Sequence, residues 1–194
     1  MRPADAPASR RRLPVVGLSA VTGRAAVGFR CHSGWAVLVV VSGSDASPVL
    51  LDRRRVELLD DPLPRQPYHA VAEGGLPASV IDAVAEAARN SVAEALRSIA
   101  RADALGVVAT ERRIPRTLDQ ILRSHALLHA AEGHLFERAV IEAAADAGLC
   151  VHVVEPISIR VSEAVDALGR SVGPPWQKDH KWATIAALAA LGSG

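Results

Sequence analysis

Two apolar, β-branched runs separated by four small or polar residues constrain this chain more than any other feature. Ala25 to Val41 reads Ala-Ala-Val-Gly-Phe-Arg, then Cys31-His32-Ser33-Gly34, then Trp35-Ala-Val-Leu-Val-Val-Val. Such runs around a glycine-containing break predict two antiparallel strands joined by a tight turn. Ser42-Gly43-Ser44-Asp45 has turn chemistry. Pro48 to Leu58 then predicts a third strand, whose charged middle, Asp52-Arg53-Arg54-Arg55, suits a sheet edge.

The hydrophobic period changes after the Pro- and Gly-rich stretch from Asp60 to Gly75, which reads as a loop. Ile81, Val84, Ala88, Val92, Leu96 and Ile99 form one stripe and predict a helix from Pro77 to about Ala104, ended by Gly106. Val107 to Ala109 reads as a short strand and Thr117 to Ala147 as a second long helix closed by Gly148. Leu149 to Val154 gives a fifth strand. Ser162 to Leu168 reads as a short helix, Gly169 to Pro175 as a loop, and Trp176 to Leu191 as an amphipathic final helix. An antiparallel meander followed by strand–helix alternation predicts an α/β domain with helices over a mixed sheet.

Length fits one domain over residues 14–194 behind a flexible basic tail, residues 1–13, that carries Arg10-Arg11-Arg12. Hydrophobic residues make up 49% and aromatics only 3%, so Ala, Val, Leu and Ile must build the core. The net charge of +1 gives no field over the whole molecule, so nucleic-acid binding would need a local basic patch. Cys31 and Cys150 lack metal-site spacing and read as buried free thiols of a reducing compartment. The longest apolar runs, Trp35 to Val41 and Ala183 to Leu191, are far shorter than the ~20 residues of a spanning helix. No secretory signal stands out. A soluble, cytoplasmic protein without membrane partners is the expectation.

Val27-Gly28-Phe29-Arg30-Cys31-His32-Ser33-Gly34-Trp35-Ala36 resembles the first strand and turn of the RuvC-type resolvases, within the ribonuclease H-like superfamily. Val107 to Glu111 resembles their fourth strand, which ends in a catalytic Glu. Leu149 to Ile159 with Ser162-Glu163-Ala164-Val165 resembles their fifth strand and following helix. Lys178-Asp179-His180-Lys181 resembles the acidic motif of their last helix. The likeness spans roughly residues 25–191 and implies a five-stranded sheet in the order 3-2-1-4-5. It further implies clustered carboxylates holding two divalent metals that activate water. Glu111 and Asp179 match carboxylate positions, but Arg30 stands where the family keeps its central Asp. Arginine has no lone pair for Mg²⁺, and its charge repels the metal. The run from Ser124 to Gly133 also resembles a segment shared by a group of bacterial proteins, a likeness that implies no activity.

A second constellation is read from spacing alone. His125, His129 and Glu132 fall within about 60° of one another on the second long helix. Two imidazoles and a carboxylate on one face suit a transition metal, a base with its orienting acid, or simply a polar packed face. His134 points to the opposite side.

Further candidate ligand-binding residues are His32 and Ser33 in the first turn, beside Arg30, and Tyr68 and His69 in the long loop. Arg53 and Arg55 share one face of their strand, which suits edge protection better than a phosphate grip. Three readings of function follow. The first is a non-catalytic ribonuclease H-like domain that binds a macromolecule, nucleic acid or protein, or a small ligand. The second is a diverged hydrolase or nuclease with Glu111, His125, His129, Glu132 and Asp179 around water or a divalent metal, Mg²⁺ or another. The third is a homo-oligomeric assembly protein, with Ala183 to Leu191 as a dimer seam.

Overall fold

A computed structural model describes residues 23–111, 113–115 and 117–193. The basic tail and its arginines lie outside the described residues. Strands β1 (Ala25–His32), β2 (Trp35–Ser44) and β3 (Ser47–Glu57) form the meander. Strands β4 (Ala104–Val108) and β5 (Cys150–Val154) complete one sheet in the order β3-β2-β1-β4-β5. β1 runs antiparallel to β2 and parallel to β4, and β5 is parallel to β4. The expected mixed sheet and its 3-2-1-4-5 order are observed, with β3 at one edge.

Strand alternation divides the core into two layers. Val27, Phe29, Leu38, Val40, Leu105 and Val107 face α2 (Ser79–Arg97) and α4 (His125–Asp146). Phe29 and Phe136, both fully buried here, each contribute about 2 kcal/mol of burial. Ala26, Val37, Val39, Val41 and Ala104 face α6 (Lys178–Gly192) through Ala183, Ala187, Leu188 and Ala190. This second layer is unusually thin. A side chain at Gly28 would sit 1.8 Å from the Ala183 carbonyl oxygen, and one at Gly106 would sit 1.9 Å from that of Ala186. The small residues of α6 therefore lie directly on the strand backbones. The dimer-seam expectation fails for the same reason: Ala183, Ala186, Ala187, Leu188 and Ala190 are buried inside their own chain.

Several boundaries differ from the sequence reading. Gly106 lies within β4 rather than ending a helix, because close packing and not a helix cap requires it there. α2 stops at Arg97. The long helix expected from Thr117 is split into α3 (Leu118–Leu122) and α4, because extended Ser124 caps α4 by accepting the Leu127 N–H at 3.4 Å. The Pro-rich loop contains a short helix, α1 (Pro67–Ala72), with proline in its first turn. α5 (Glu163–Val172) runs through Gly169, over which Trp176 packs. Arg53 neither guards an edge nor faces solvent as a phosphate grip. It donates to the carbonyls of Val172, Gly173, Pro174 and Pro175, tying β3 to the end of α5. Cys31 is buried, and burial with the nearby Glu137 charge pushes its thiol up to about 12. Cys150 is exposed, contrary to expectation, because β5 is the other sheet edge. Among the described residues no helix is long and apolar enough to cross a membrane.

Candidate functional site

Most of the polar residues singled out in the sequence gather in two places, one on each face of the sheet, and Glu111 and Ser33 lie in neither. The first follows from the alternation of β1. Ala26 and Gly28 face α6, so Arg30 and His32, two and four residues on from Gly28, point to that layer as well. The first turn of α6 meets them. Asp179 Oδ1 lies 3.9 Å from Arg30 Nε, and Asp179 Oδ2 lies 3.0 Å from His32 Nε2. The three side chains are about a quarter exposed, at 23% for Arg30, 27% for Asp179 and 31% for His32, so solvent screens the pairing only in part.

Aromatic rings frame this cluster. The Arg30 guanidinium lies 5.4 Å from the centre of the Trp182 ring, and Lys178 Nζ lies 4.2 Å from the same ring. His32 stacks on Trp35 at 4.1 Å, and the Arg55 guanidinium lies 3.9 Å from that ring. Trp35 and Trp182 were missed as candidates, Lys178 was read only within the motif that opens α6, and Arg55 as an edge guard rather than a phosphate grip. Trp182 follows Asp179 at helical spacing, the one local signal that could have grouped them. The basic start of α6 is partly explained by local bonds. Lys181 pairs with Asp166 at 2.7 Å, and His180 Nδ1 accepts the Gln177 N–H at 3.2 Å. Burial and the Arg53 charge hold the His180 imidazole below its usual value, against the pull of Asp179.

Glu111 follows β4, whose last residue Val108 pairs with Arg30. It is exposed, and its backbone N–H donates to Glu155 Oε1 at 3.3 Å, beyond the end of β5. Ser33, in the β1–β2 turn, and His69 line one open cleft of about 510 Å³ with Pro64, Arg65, Gln66, Ala70 and Glu73.

The second cluster lies in the α4 layer. Glu132, 2% exposed, does not face solvent beside His125 and His129 as a third ligand. Its Oε1 accepts the backbone N–H groups of Tyr68 at 2.9 Å and His69 at 3.1 Å, and lies 3.2 Å from His69 Nδ1. A carboxylate from α4 thus satisfies the first-turn donors of α1, whose own preceding residue, Gln66, supplies no side-chain cap. Burial pushes the Glu132 carboxyl up, and the bonds from His69 and Tyr68 pull it back. Burial and the Glu132 charge also raise the Tyr68 hydroxyl.

His69 replaces Glu132 in the company of the helix histidines. Its ring centre is 5.4 Å from that of His125 and 4.7 Å from that of His129. The Nε2 atoms of His125 and His129 are 3.0 Å apart. Partial desolvation, with the imidazoles of His125 and His69, holds His129 below its ordinary value. The five-residue set proposed for a single hydrolytic centre is therefore divided: Asp179 serves the α6 layer, while His125, His129 and Glu132 belong to the α4 layer.

No family model matches the chain, and no curated protein matches its sequence. Solved structures do. The Thermus thermophilus RuvC structure in complex with a Holliday junction substrate aligns with a TM-score of 0.54 at 18% identity, over 85% of this chain and 90% of that one. A second Thermus thermophilus RuvC structure aligns with a TM-score of 0.51 at 17% identity, over 84% and 91%. The shared sheet order and near full-length overlap make this chain a ribonuclease H-like fold of the kind built by RuvC.

Proposed function

We propose that this chain is a non-catalytic binding domain on the ribonuclease H-like fold, and that it takes nucleic acid along the carboxyl end of β1. The observation that carries this reading is Arg30, whose guanidinium lies 3.9 Å from Asp179. A pair of divalent metals does not fit that donor set. Arg30 offers no lone pair, its charge opposes a cation, and Asp179 is engaged by both Arg30 and His32. Without paired metals the fold has no means here of activating water between carboxylates.

The same groups suit an anionic partner with flat bases. Lys178 and Arg55 bring positive charge, and Trp182 and Trp35 bring stacking faces. Arg55 pairs with Glu57 and Arg30 with Asp179, so Lys178 carries the net positive charge of this local arrangement toward a phosphate. RuvC, the structural neighbour, is in complex with a Holliday junction substrate, which makes branched DNA the first probe to use.

Fluorescence anisotropy with a four-way junction, a duplex and a single strand tests the reading. Binding should weaken log-linearly with salt. Lys178→Ala and Arg55→Ala should each weaken it by roughly three- to tenfold, in line with a lost cation beside an aromatic face. Failure to bind any of the three at low salt contradicts the proposal.

A further inference from the structure

We propose that His69, His125 and His129 form a zinc(II) site that clamps α1 to the start of α4, with Glu132 as the positioning residue for His69. One ligand atom from each histidine lies within 4.8 Å of the other two. His125 and His129 stand four apart on α4, the spacing that puts two imidazoles on one helix face toward one ion. A tetrahedral zinc with Zn–N bonds of about 2.0–2.1 Å spaces its ligands by about 3.3 Å, close to the 3.0 Å between the Nε2 atoms of His125 and His129.

His69 supplies the independent observation. Its Nδ1 faces the Glu132 carboxylate, which fixes the ring and leaves Nε2 as the ligand atom. That Nε2 is buried and has no hydrogen-bond partner among the described residues. A bond between His125 and His129 alone leaves it unsatisfied, whereas one cation satisfies all three nitrogens. Three imidazoles select a borderline transition metal over Mg²⁺ or Ca²⁺, which take oxygen ligands. His125 and His129 are exposed, so a fourth position faces solvent. The site is separate from the Arg30–Asp179 cluster and does not depend on nucleic-acid binding.

The test is isothermal titration of untagged, chelator-treated full-length chain with zinc, alongside thermal melting. One zinc per chain is expected, with a rise in melting temperature of roughly 5–10 °C at zinc a hundredfold above Kd. Magnesium should give no rise. His125→Ala and His129→Ala, both at exposed positions, should each weaken zinc at least a hundredfold while the circular dichroism spectrum is kept. Glu132→Gln should weaken it about tenfold, and His152→Ala should leave it unchanged. Cobalt(II) should give the visible spectrum of a tetrahedral nitrogen site. No stoichiometric zinc, or equal zinc affinity in the His125→Ala and His129→Ala chains, overturns the proposal.

Discussion

The two faces of the sheet carry polar clusters that have settled their charges in opposite ways. On the α6 face, cations and a carboxylate neutralise one another: Arg30 and His32 close on Asp179, and tryptophans cover the guanidinium and ammonium groups. On the α4 face the buried Glu132 carboxylate holds α1, and three imidazoles turn toward each other. The first arrangement has used its lone pairs and keeps positive charge at its rim. The second keeps its lone pairs together. The fold that positions both does not dictate the chemistry of either.

The largest expected effect comes from the contact that seats the first cluster. Gly106→Ala forces a methyl group against the Ala186 carbonyl, so either α6 lifts or the strand bends. A loss of about 3 kcal/mol or more is expected in urea unfolding. A loss below 1 kcal/mol would mean that α6 does not rest on the backbone of β4.

A medium effect sharpens the contrast between the clusters. Arg30→Asp sets two carboxylates side by side where a pair existed. Stability should fall by about 2 kcal/mol without metal, a figure reduced for partial exposure. Mg²⁺ should then raise the melting temperature of the variant and leave the parent unchanged. Equal Mg²⁺ response in both chains would show that Arg30 does not set the metal preference of this face.

The smallest effect is a pH dependence at the start of α6. Burial and the Arg53 charge hold the folded His180 below its ordinary value, while the unfolded chain takes up a proton near pH 6.5. Because the folded value is depressed, this stabilisation is complete above that pH and is lost as pH falls through it toward the folded value. His180→Asn keeps an acceptor for the Gln177 N–H but cannot titrate. Urea midpoints at pH 7.5 and 5 should therefore converge in the variant relative to the parent. An unchanged slope would place the titrating group elsewhere.

The division between the clusters was only half legible in the sequence. The β-branched runs from Ala25 to Val41 and the strand–helix alternation after them carried the α/β class, and the resemblance to the RuvC-type resolvases supplied the sheet order. The position of Arg30 on β1 followed from local motif spacing. The helical spacing of His125 and His129 was also readable, since i and i+4 share a face. What joins them was not. His69 and Glu132 lie 63 residues apart and meet only because a Pro-led turn of helix docks on α4. Gly106 misled for a related reason. A glycine after an apolar stripe reads as a helix stop, and nothing local tells that a helix 80 residues later will lie against it. Burial of Ala183 to Leu191 was hidden in the same way, because an alanine-rich face serves a dimer seam or a close intrachain contact equally well.

Whether the carboxyl end of β1 cuts nucleic acid separates a binding domain from a nuclease. The direct measurement incubates the intact chain with a labelled four-way junction, and separately with an RNA–DNA hybrid, in saturating Mg²⁺ or Mn²⁺ under conditions where binding is seen. Retained complex and no product above a protein-free control are expected. Metal-dependent cleavage that is lost in Asp179→Asn would contradict the binding-domain proposal.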